Sequence, residues 1–210
     1  MVKLKLEFVE VIIVLKNTAD KIILFLNEIS IVNKSTLYGS LITNTYDELS
    51  DIDIEVDVSG YDNGKFMMEL VEIFKNKYHI YYFDYAPSLV PNKYIVSFEI
   101  DKNNPFLIVD ICCYAEPHCT TITKQQVVNK KEFHILKLWT ANLKHYIRGN
   151  KCYDDIVRMA KKIPIENLDR KNETQLLAET LNWIENNTEA ELQEFVASCR
   201  SKFEELINYY

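Results

Sequence analysis

Two closely spaced carboxylates are the residues of this sequence with the clearest capacity for chemistry. Asp51 and Asp53 stand at the start of the run Ile52–Val58, where acidic and apolar residues alternate as in a β-strand. Side chains two positions apart on a strand share a face, so these carboxylates repel each other unless a cation lies between them. Oxygen ligands on a rigid strand suit Mg²⁺, which usually takes substrate phosphates as further ligands.

A glycine and a serine precede this acidic pair by ten intervening residues, in the segment Tyr38-Gly39-Ser40. A glycine lets the backbone come close to a phosphate group, and a serine hydroxyl can donate a hydrogen bond to it. The chain has only four glycines, so each one is expected to mark a position where the backbone needs it. Gly39 and Ser40 are therefore candidate phosphate-binding residues.

A third carboxylate, Asp110, is the one charged residue in the apolar run Phe106–Cys113. A charge in such a strand is costly unless it is paired or bound to a metal. Its expected partner is the cation of Asp51 and Asp53, provided that the two strands are neighbours. The alternative is that the acidic pair marks only a solvent-facing strand, because residues 47–57 contain six acidic residues.

The elements that would position these residues follow from the hydrophobic pattern. The apolar spacing predicts helices at 17–29 and 65–77. Residues 3–16 are rich in β-branched residues, and both helix and strand remain open there. The strand pattern recurs in short runs at 36–38, 52–58, 79–85, 94–100 and 106–113.

The pattern changes to helices alone after about residue 122. Four helices are predicted, at 123–148, 151–162, 166–185 and 189–208. The chain is therefore predicted to have an α+β part followed by a helical part. The corresponding domains are residues 1–122 and residues 123–210.

Composition and charge exclude several classes of protein. Of the 210 residues, 48% are hydrophobic, which is enough for a packed core and excludes a disordered chain. The longest aliphatic run is Val11–Leu15, whereas a membrane span needs about 20 apolar residues. No signal-peptide pattern opens the sequence, so a cytoplasmic location is expected. Five scattered cysteines suit free thiols.

The net charge of −7 is unevenly distributed. Residues 1–125 carry all of it, while residues 130–162 hold nine basic and three acidic residues. An acidic chain is a poor binder of nucleic acid, which argues against a polymerase. An acidic part followed by a basic part suits a metal-chelated polyphosphate, although a lysine-rich surface helix explains the basic stretch equally well.

Three features together resemble the signature of the polymerase-beta superfamily: the Gly39-Ser40 pair, the Asp51-x-Asp53 strand and the later Asp110. Within it, the chain is most similar to lincosamide and aminoglycoside antibiotic nucleotidyltransferases. The segments DYAPSL (84–89) and LWTANLKHYIRGNK (138–151) add to this similarity, which extends over about residues 20–165. The resemblance implies an α+β fold, with a nucleotidyltransferase-type mixed β-sheet and flanking helices, followed by a C-terminal helical bundle.

The resemblance also implies roles for the three aspartates. Asp51 and Asp53 would hold Mg²⁺ together with ATP as co-substrate. Asp110 would be the third metal ligand, or the base that takes the proton from the acceptor hydroxyl. All three are thus predicted to be both catalytic and metal-binding residues.

Nucleotide-binding roles follow in the same way. Gly39 and Ser40 would lie against the β- or γ-phosphate. For the pyrophosphate we expect cations of the basic stretch, where Lys137, Lys144 and Arg148 share a helix face. A surface stripe on a helix is an equally good interpretation of these three residues. Many relatives have a basic residue and another glycine shortly after Gly-Ser, where this chain has LITN (41–44).

The function that the resemblance implies is transfer of a nucleoside monophosphate, AMP from ATP, to a hydroxyl of a small molecule. An antibiotic such as a lincosamide or an aminoglycoside is the candidate acceptor. The alternative is a non-catalytic or regulatory module of the same fold, of the toxin–antitoxin kind. Neither nucleic acid nor a membrane is an expected partner. The sequence leaves a homodimer open, as it does ATP against another nucleoside triphosphate.

Overall fold

The computed structural model describes residues 2–87 and 93–209, with side chains for 14–86, 93–123 and 125–207. These residues form two compact units. The first comprises the chain up to Ile100 together with Phe106–Val128, and the second comprises Asp101–Pro105 and the chain from Asn129 onward. The predicted α+β class, with a mixed sheet followed by helices, is confirmed. That residues 1–122 and 123–210 are separate domains stays a prediction.

A five-stranded mixed sheet forms the centre of the first unit, in the order β1-β2-β5-β4-β3. Its strands are β1 (Lys34–Tyr38), β2 (Ile52–Asp57), β3 (Tyr82–Pro87), β4 (Lys93–Glu99) and β5 (Ile108–Tyr114). Strands β2 and β5 are parallel, and the other neighbouring pairs are antiparallel. The strands that carry Asp53 and Asp110 are therefore neighbours, as the metal-site prediction requires.

Three helices accompany the sheet in the first unit: α1 (Val2–Asn27), α2 (Ser40–Thr43) and α3 (Asn63–Lys75). The segment 3–16, where the sequence left helix and strand open, is the first part of α1. Beyond residue 13, α1 buries Leu15, Ala19, Ile22 and Leu26, a spacing of three to four residues that keeps them on one helix face. In DYAPSL, residues 88 and 89 lie outside the described residues.

One face of the sheet packs on α1 and α3 and forms the hydrophobic core. Along β2 the apolar residues Ile52, Ile54 and Val56 are buried, and the acidic residues between them are half-buried. Because side chains alternate along a strand, Asp53 and Glu55 extend from the opposite face. We call this opposite face, which includes Asp53, Glu55 and their cross-strand partners, the polar face.

Helix α3 begins at a clear capping residue. The side chain of Asp62 accepts a hydrogen bond from the Lys65 N–H at 2.8 Å, which satisfies one free donor of the first turn. Phe74 in its last turn stacks on Phe98 of β4, with ring centroids 4.6 Å apart. The helix thus packs on the core face of the sheet and not on the polar face, which carries Asp53.

The second unit contains α4 (Lys131–Ile147), α5 (Tyr153–Ala160), α6 (Glu173–Asn187) and α7 (Ala190–Tyr209), with a short 3-10 turn at Leu168–Arg170. The buried Trp139 of α4 donates its indole N–H to the Leu177 carbonyl of α6 at 2.9 Å. A capping box between Asn172 and Gln175 fixes the start of α6. Within the described residues, no helix has both the length and the apolar character needed to cross a bilayer.

The helix predicted over 123–148 begins only at Lys131. Upstream, Lys124–Gln126 form a 3-10 turn. The Thr123 N–H and hydroxyl both donate to the Gln126 side-chain oxygen, at 2.7 and 3.0 Å. This local bonding offers the backbone an alternative to the α-helix.

Candidate active site

Gly39 makes the turn that carries the chain from β1 into α2. Its φ of 70° and ψ of −149° belong to a region that essentially only glycine adopts. A Cβ added at this position would lie 2.2 Å from Oδ2 of Asp53. The backbone of Gly39 therefore lies directly against the Asp53 carboxylate, and both dihedral angles and space require a glycine there.

The short helix α2 holds the backbone that follows this turn. The Thr43 N–H and hydroxyl both donate to the Gly39 carbonyl at 3.2 Å. Asn44 ends the helix in the left-handed conformation, with φ 55°. Ser40 is half-buried, and its hydroxyl has no hydrogen-bond partner among the described residues. That hydroxyl can therefore donate to a ligand.

A hydrogen-bonded loop leads from α2 to the acidic strand. The Asp47 carboxylate accepts from the Leu49 N–H at 3.0 Å and from the Ser50 hydroxyl at 2.9 Å. The Ser50 hydroxyl oxygen in turn accepts from the Asp47 N–H at 2.9 Å. These bonds fix the backbone immediately before Asp51. The role of Asp47 is therefore to hold the conformation of the loop that leads into the acidic strand.

Asp53 and Asp110 lie side by side on the polar face. They are register partners in the parallel pair of β2 and β5, so their side chains leave the sheet in the same direction. Adjacent strands are about 4.8 Å apart, so one ligand can reach both carboxylates. Asp51 directly precedes β2, and its place in a shared metal site stays a prediction.

The row that contains these two carboxylates continues across the sheet. Tyr38 of β1 is the register partner of Asp53, and Ser97 of β4 is the partner of Asp110. The Ser97 hydroxyl donates a hydrogen bond to Oδ1 of Asp110. Asp84 of β3, which is buried, pairs in register with Ser97 and ends the row.

Tyr38 contributes a phenol at the exposed end of this row. Its side chain is partly buried, with 38% of its surface exposed. Burial raises the pKa of Tyr38, and the nearby acidic groups of Cys112 and Asp53 raise it further. The phenol therefore stays protonated at neutral pH and can donate a hydrogen bond to a ligand.

Two register pairs further along β2 and β5, an ion pair crosses the polar face. The Lys93 ammonium donates to the Glu55 carboxylate, and this hydrogen bond raises the pKa of Lys93. Cys112, the buried register partner of Glu55, has a pKa raised to about 11, mainly by burial. Its thiol is therefore protonated at neutral pH.

The predicted site residues are divided between the two units. Gly39, Asp53 and Asp110 come together in the first unit, with Ser40 in the turn after Gly39. Lys137 and Lys144 lie on α4 in the second unit. Lys137 is half-buried. Lys144 is buried, with 3% of its surface exposed, so its interpretation as part of a surface stripe on the helix does not hold. Contact of either lysine with a nucleotide stays a prediction.

Sequence reasoning missed four polar residues of the first unit: Tyr38, Ser97 and the pair Glu55–Lys93. Ser97 carried a usable signal, because it is a hydroxyl within the otherwise apolar centre of the β-rich run 94–100. A buried hydroxyl needs a partner, and the pattern could have directed attention to it. Its particular partner, Asp110, depends on the register between β4 and β5, which the pattern along one strand does not contain.

No group of three or more histidine, cysteine, aspartate or glutamate side chains forms a metal cage in the described part of the chain. Mg²⁺ does not require such a cage, because one or two carboxylates together with substrate phosphates commonly hold it. Asp53 and Asp110 supply two hard oxygen donors on adjacent strands. This donor set therefore fits a magnesium ion that arrives with a phosphate ligand.

No protein-family model matches this sequence, and no curated protein matches it. Among solved structures, the chain is similar to the STING-associated CdnE c-di-GMP synthase from Capnocytophaga granulosa, with 14% identity and a TM-score of 0.30. That similarity covers 93% of this chain and 81% of the other.

The chain is also similar to a structure of the GLD-2/RNP-8 complex, with 13% identity and a TM-score of 0.27. Here 74% of this chain and 71% of the other are covered. At these TM-scores, neither likeness assigns an activity or a substrate to this chain.

Proposed function

We propose that this chain is a magnesium-dependent nucleotidyltransferase that transfers a nucleoside monophosphate from a nucleoside triphosphate to a hydroxyl group. The observation that carries the proposal is the register pairing of Asp53 with Asp110, with the Gly39 backbone against the Asp53 carboxylate. Such an arrangement combines two metal-binding carboxylates with a turn that allows a phosphate to approach. AMP from ATP is the transferred group that we propose.

Asp53 and Asp110 would hold the magnesium ion, and a ligand role for Asp51, which directly precedes the same strand, stays a prediction. When bound, the ion would neutralise phosphate charge and lower the pKa of a coordinated hydroxyl. Asp110 would act as a metal ligand or as the base that takes the proton of the acceptor hydroxyl, and activation of that hydroxyl by the ion would do most of the work.

The other residues act by binding. The Ser40 hydroxyl, which has no partner among the described residues, donates to a phosphate oxygen of the nucleotide. Lys137 and Lys144, which belong to the second unit, stay predicted binders of the leaving pyrophosphate. Transfer of this kind depends chiefly on positioning and on charge neutralisation, and these residue types provide both.

We propose a small molecule as the acceptor, with a cationic antibiotic as the first class to test. What supports this class is the negative charge of the first 125 residues, which carry 11 basic and 18 acidic residues. A cationic acceptor is attracted to such a surface. Lincosamides and aminoglycosides both combine a basic amine with hydroxyl groups.

The first experiment measures nucleotide binding, which needs no knowledge of the acceptor. Isothermal titration calorimetry with ATP in the presence of Mg²⁺ should show binding that disappears with EDTA. Asp53→Asn and Asp110→Asn should each weaken it. Glu48→Gln is the charge-matched control, because Glu48 is exposed in the loop before the strand.

The second experiment measures pyrophosphate release against a panel of hydroxyl acceptors that includes lincosamides, aminoglycosides and nucleotides. With the true acceptor, Asp110→Asn should lower turnover by about 100- to 10,000-fold if Asp110 acts as the base. Wild-type affinity for Mg·ATP in both aspartate variants would refute the proposal. Metal-dependent ATP binding without turnover on any acceptor would favour the regulatory module instead.

A further inference from the structure

Ser97 stands out because it is a fully buried hydroxyl at the centre of the sheet. It lies on β4, between β5 and β3, and none of its surface is exposed. Its neighbours along the strand, Val96 and Phe98, are apolar and buried in the core. A hydroxyl in such a place must form a hydrogen bond, and its partner is Oδ1 of Asp110.

Asp110, in contrast, is only half-buried. Within the described part of the chain, no second group donates to its carboxylate. Ser97 thus occupies one oxygen from the β4 side and leaves Oδ2 for a ligand. Strand β2, which carries Asp53, lies on the other side of β5.

We infer that Ser97 is a positioning residue that fixes the Asp110 carboxylate so that it shares a divalent cation with Asp53. This inference rests on the proposed function. A hydrogen bond from a buried donor holds the side-chain torsions of Asp110, so the carboxylate does not lose rotational freedom when the cation binds. Partners of metal ligands typically contribute about 10- to 100-fold to metal affinity or activity.

The competing explanation is that the hydrogen bond only satisfies a buried serine. Ser35 provides a matched control for this explanation. It is a buried serine of β1 in the same sheet, and its hydroxyl donates to the Asn27 side-chain oxygen at 2.7 Å. Its register partner is Val56, so Ser35 lies on the core face of the sheet.

The test is Mn²⁺ binding, measured by electron paramagnetic resonance of the free ion in the presence of ATP. Ser97→Ala should weaken Mn²⁺ binding by about 10- to 100-fold. Ser97→Thr keeps the hydroxyl and should restore most of the affinity. Ser35→Ala should lower the thermal unfolding midpoint and leave Mn²⁺ affinity within about twofold of wild type, the usual scatter of independent effects.

A double-mutant cycle with Asp110→Asn completes the test, because it remains informative if Ser97→Thr does not fold. Ser97→Ala should cost little further affinity in the Asp110→Asn background, since the two residues act as one unit. An equal loss in both backgrounds, or an equal loss from Ser35→Ala, would overturn the inference.

Failure of this inference differs measurably from failure of the proposed function. If Asp53→Asn and Asp110→Asn weaken Mn²⁺ binding while Ser97→Ala does not, only the role of Ser97 is overturned. If neither aspartate variant changes Mn²⁺ binding, the proposed metal site itself is wrong.

Discussion

Replacing Gly39 with alanine should damage the site more than the fold. The alanine would have to adopt φ 70° and ψ −149°, a region that costs a residue other than glycine about 1–3 kcal/mol. Its Cβ would also lie 2.2 Å from Oδ2 of Asp53 and 3.0 Å from Cγ. These atoms belong to the end of a side chain, so the Asp53 carboxylate can rotate away while the strand stays in place.

Two results follow for Gly39→Ala. The cost of the strained backbone conformation should lower the melting temperature, measured by calorimetry, by about 2–4 °C for each kcal/mol in a chain of this size. Displacement of Asp53 should weaken Mn²⁺ and ATP binding to the level of Asp53→Asn. We therefore expect a folded protein with the weakened Mn²⁺ and ATP binding of Asp53→Asn.

Gly149→Ala is a control that separates the cost of the strained backbone conformation from the effect of displacing the Asp53 carboxylate. Gly149 has φ 71°, close to that of Gly39, but apart from its chain neighbours no atom of the described residues lies within 4 Å of its added Cβ. This control should lose stability and retain Mn²⁺ and ATP binding. If Gly39→Ala binds both ligands as well as Gly149→Ala does, the contact between Gly39 and Asp53 has no role in ligand binding.

Two further predictions test the surroundings of the site. Asp47→Ala removes the acceptor for the Leu49 N–H and the Ser50 hydroxyl, and should lower the free energy of unfolding by about 1–3 kcal/mol in urea titrations; Asp47→Asn keeps an acceptor oxygen and should lose less. In thiol labelling at pH 8, the exposed Cys119 should react first, whereas Cys113 should react only on unfolding, because burial raises its pKa and blocks access. A rapidly reacting Cys113 would contradict the core position of β5.

Much of the first unit could be predicted because the decisive information lies along single elements. The alternation in residues 52–58 identifies which side chains of β2 enter the core, and the apolar spacing after Asp20 identifies a helix. Gly39 was identifiable because a rare glycine followed by serine stands before an acidic strand. In each case, residues that are near in sequence also share one physical environment.

The remainder depends on contacts between distant segments. The ion pair Glu55–Lys93 joins residues 38 positions apart, across an intervening strand. Nothing in the local pattern around Lys93 distinguishes it from a lysine at the surface. The early start of α1 also lay outside the sequence prediction, because intrinsic propensity disfavours β-branched residues in a helix only weakly. For the ion pair, the register of the strands is decisive.

The electrostatic repulsion between the paired carboxylates, Asp53 and Asp110, links the fold to the proposed chemistry. Two unit charges about 5 Å apart repel each other by about 3 kcal/mol at the effective dielectric constant of a protein surface. A hydrogen bond to a charged group contributes about 1.5–3 kcal/mol, and the hydroxyl of Ser97 donates such a bond to Asp110. A cation bound by both carboxylates removes the repulsion itself. Local conflicts of this kind are expected at functional sites, and the register of Asp53 with Asp110 is the observation that the proposed cation would account for.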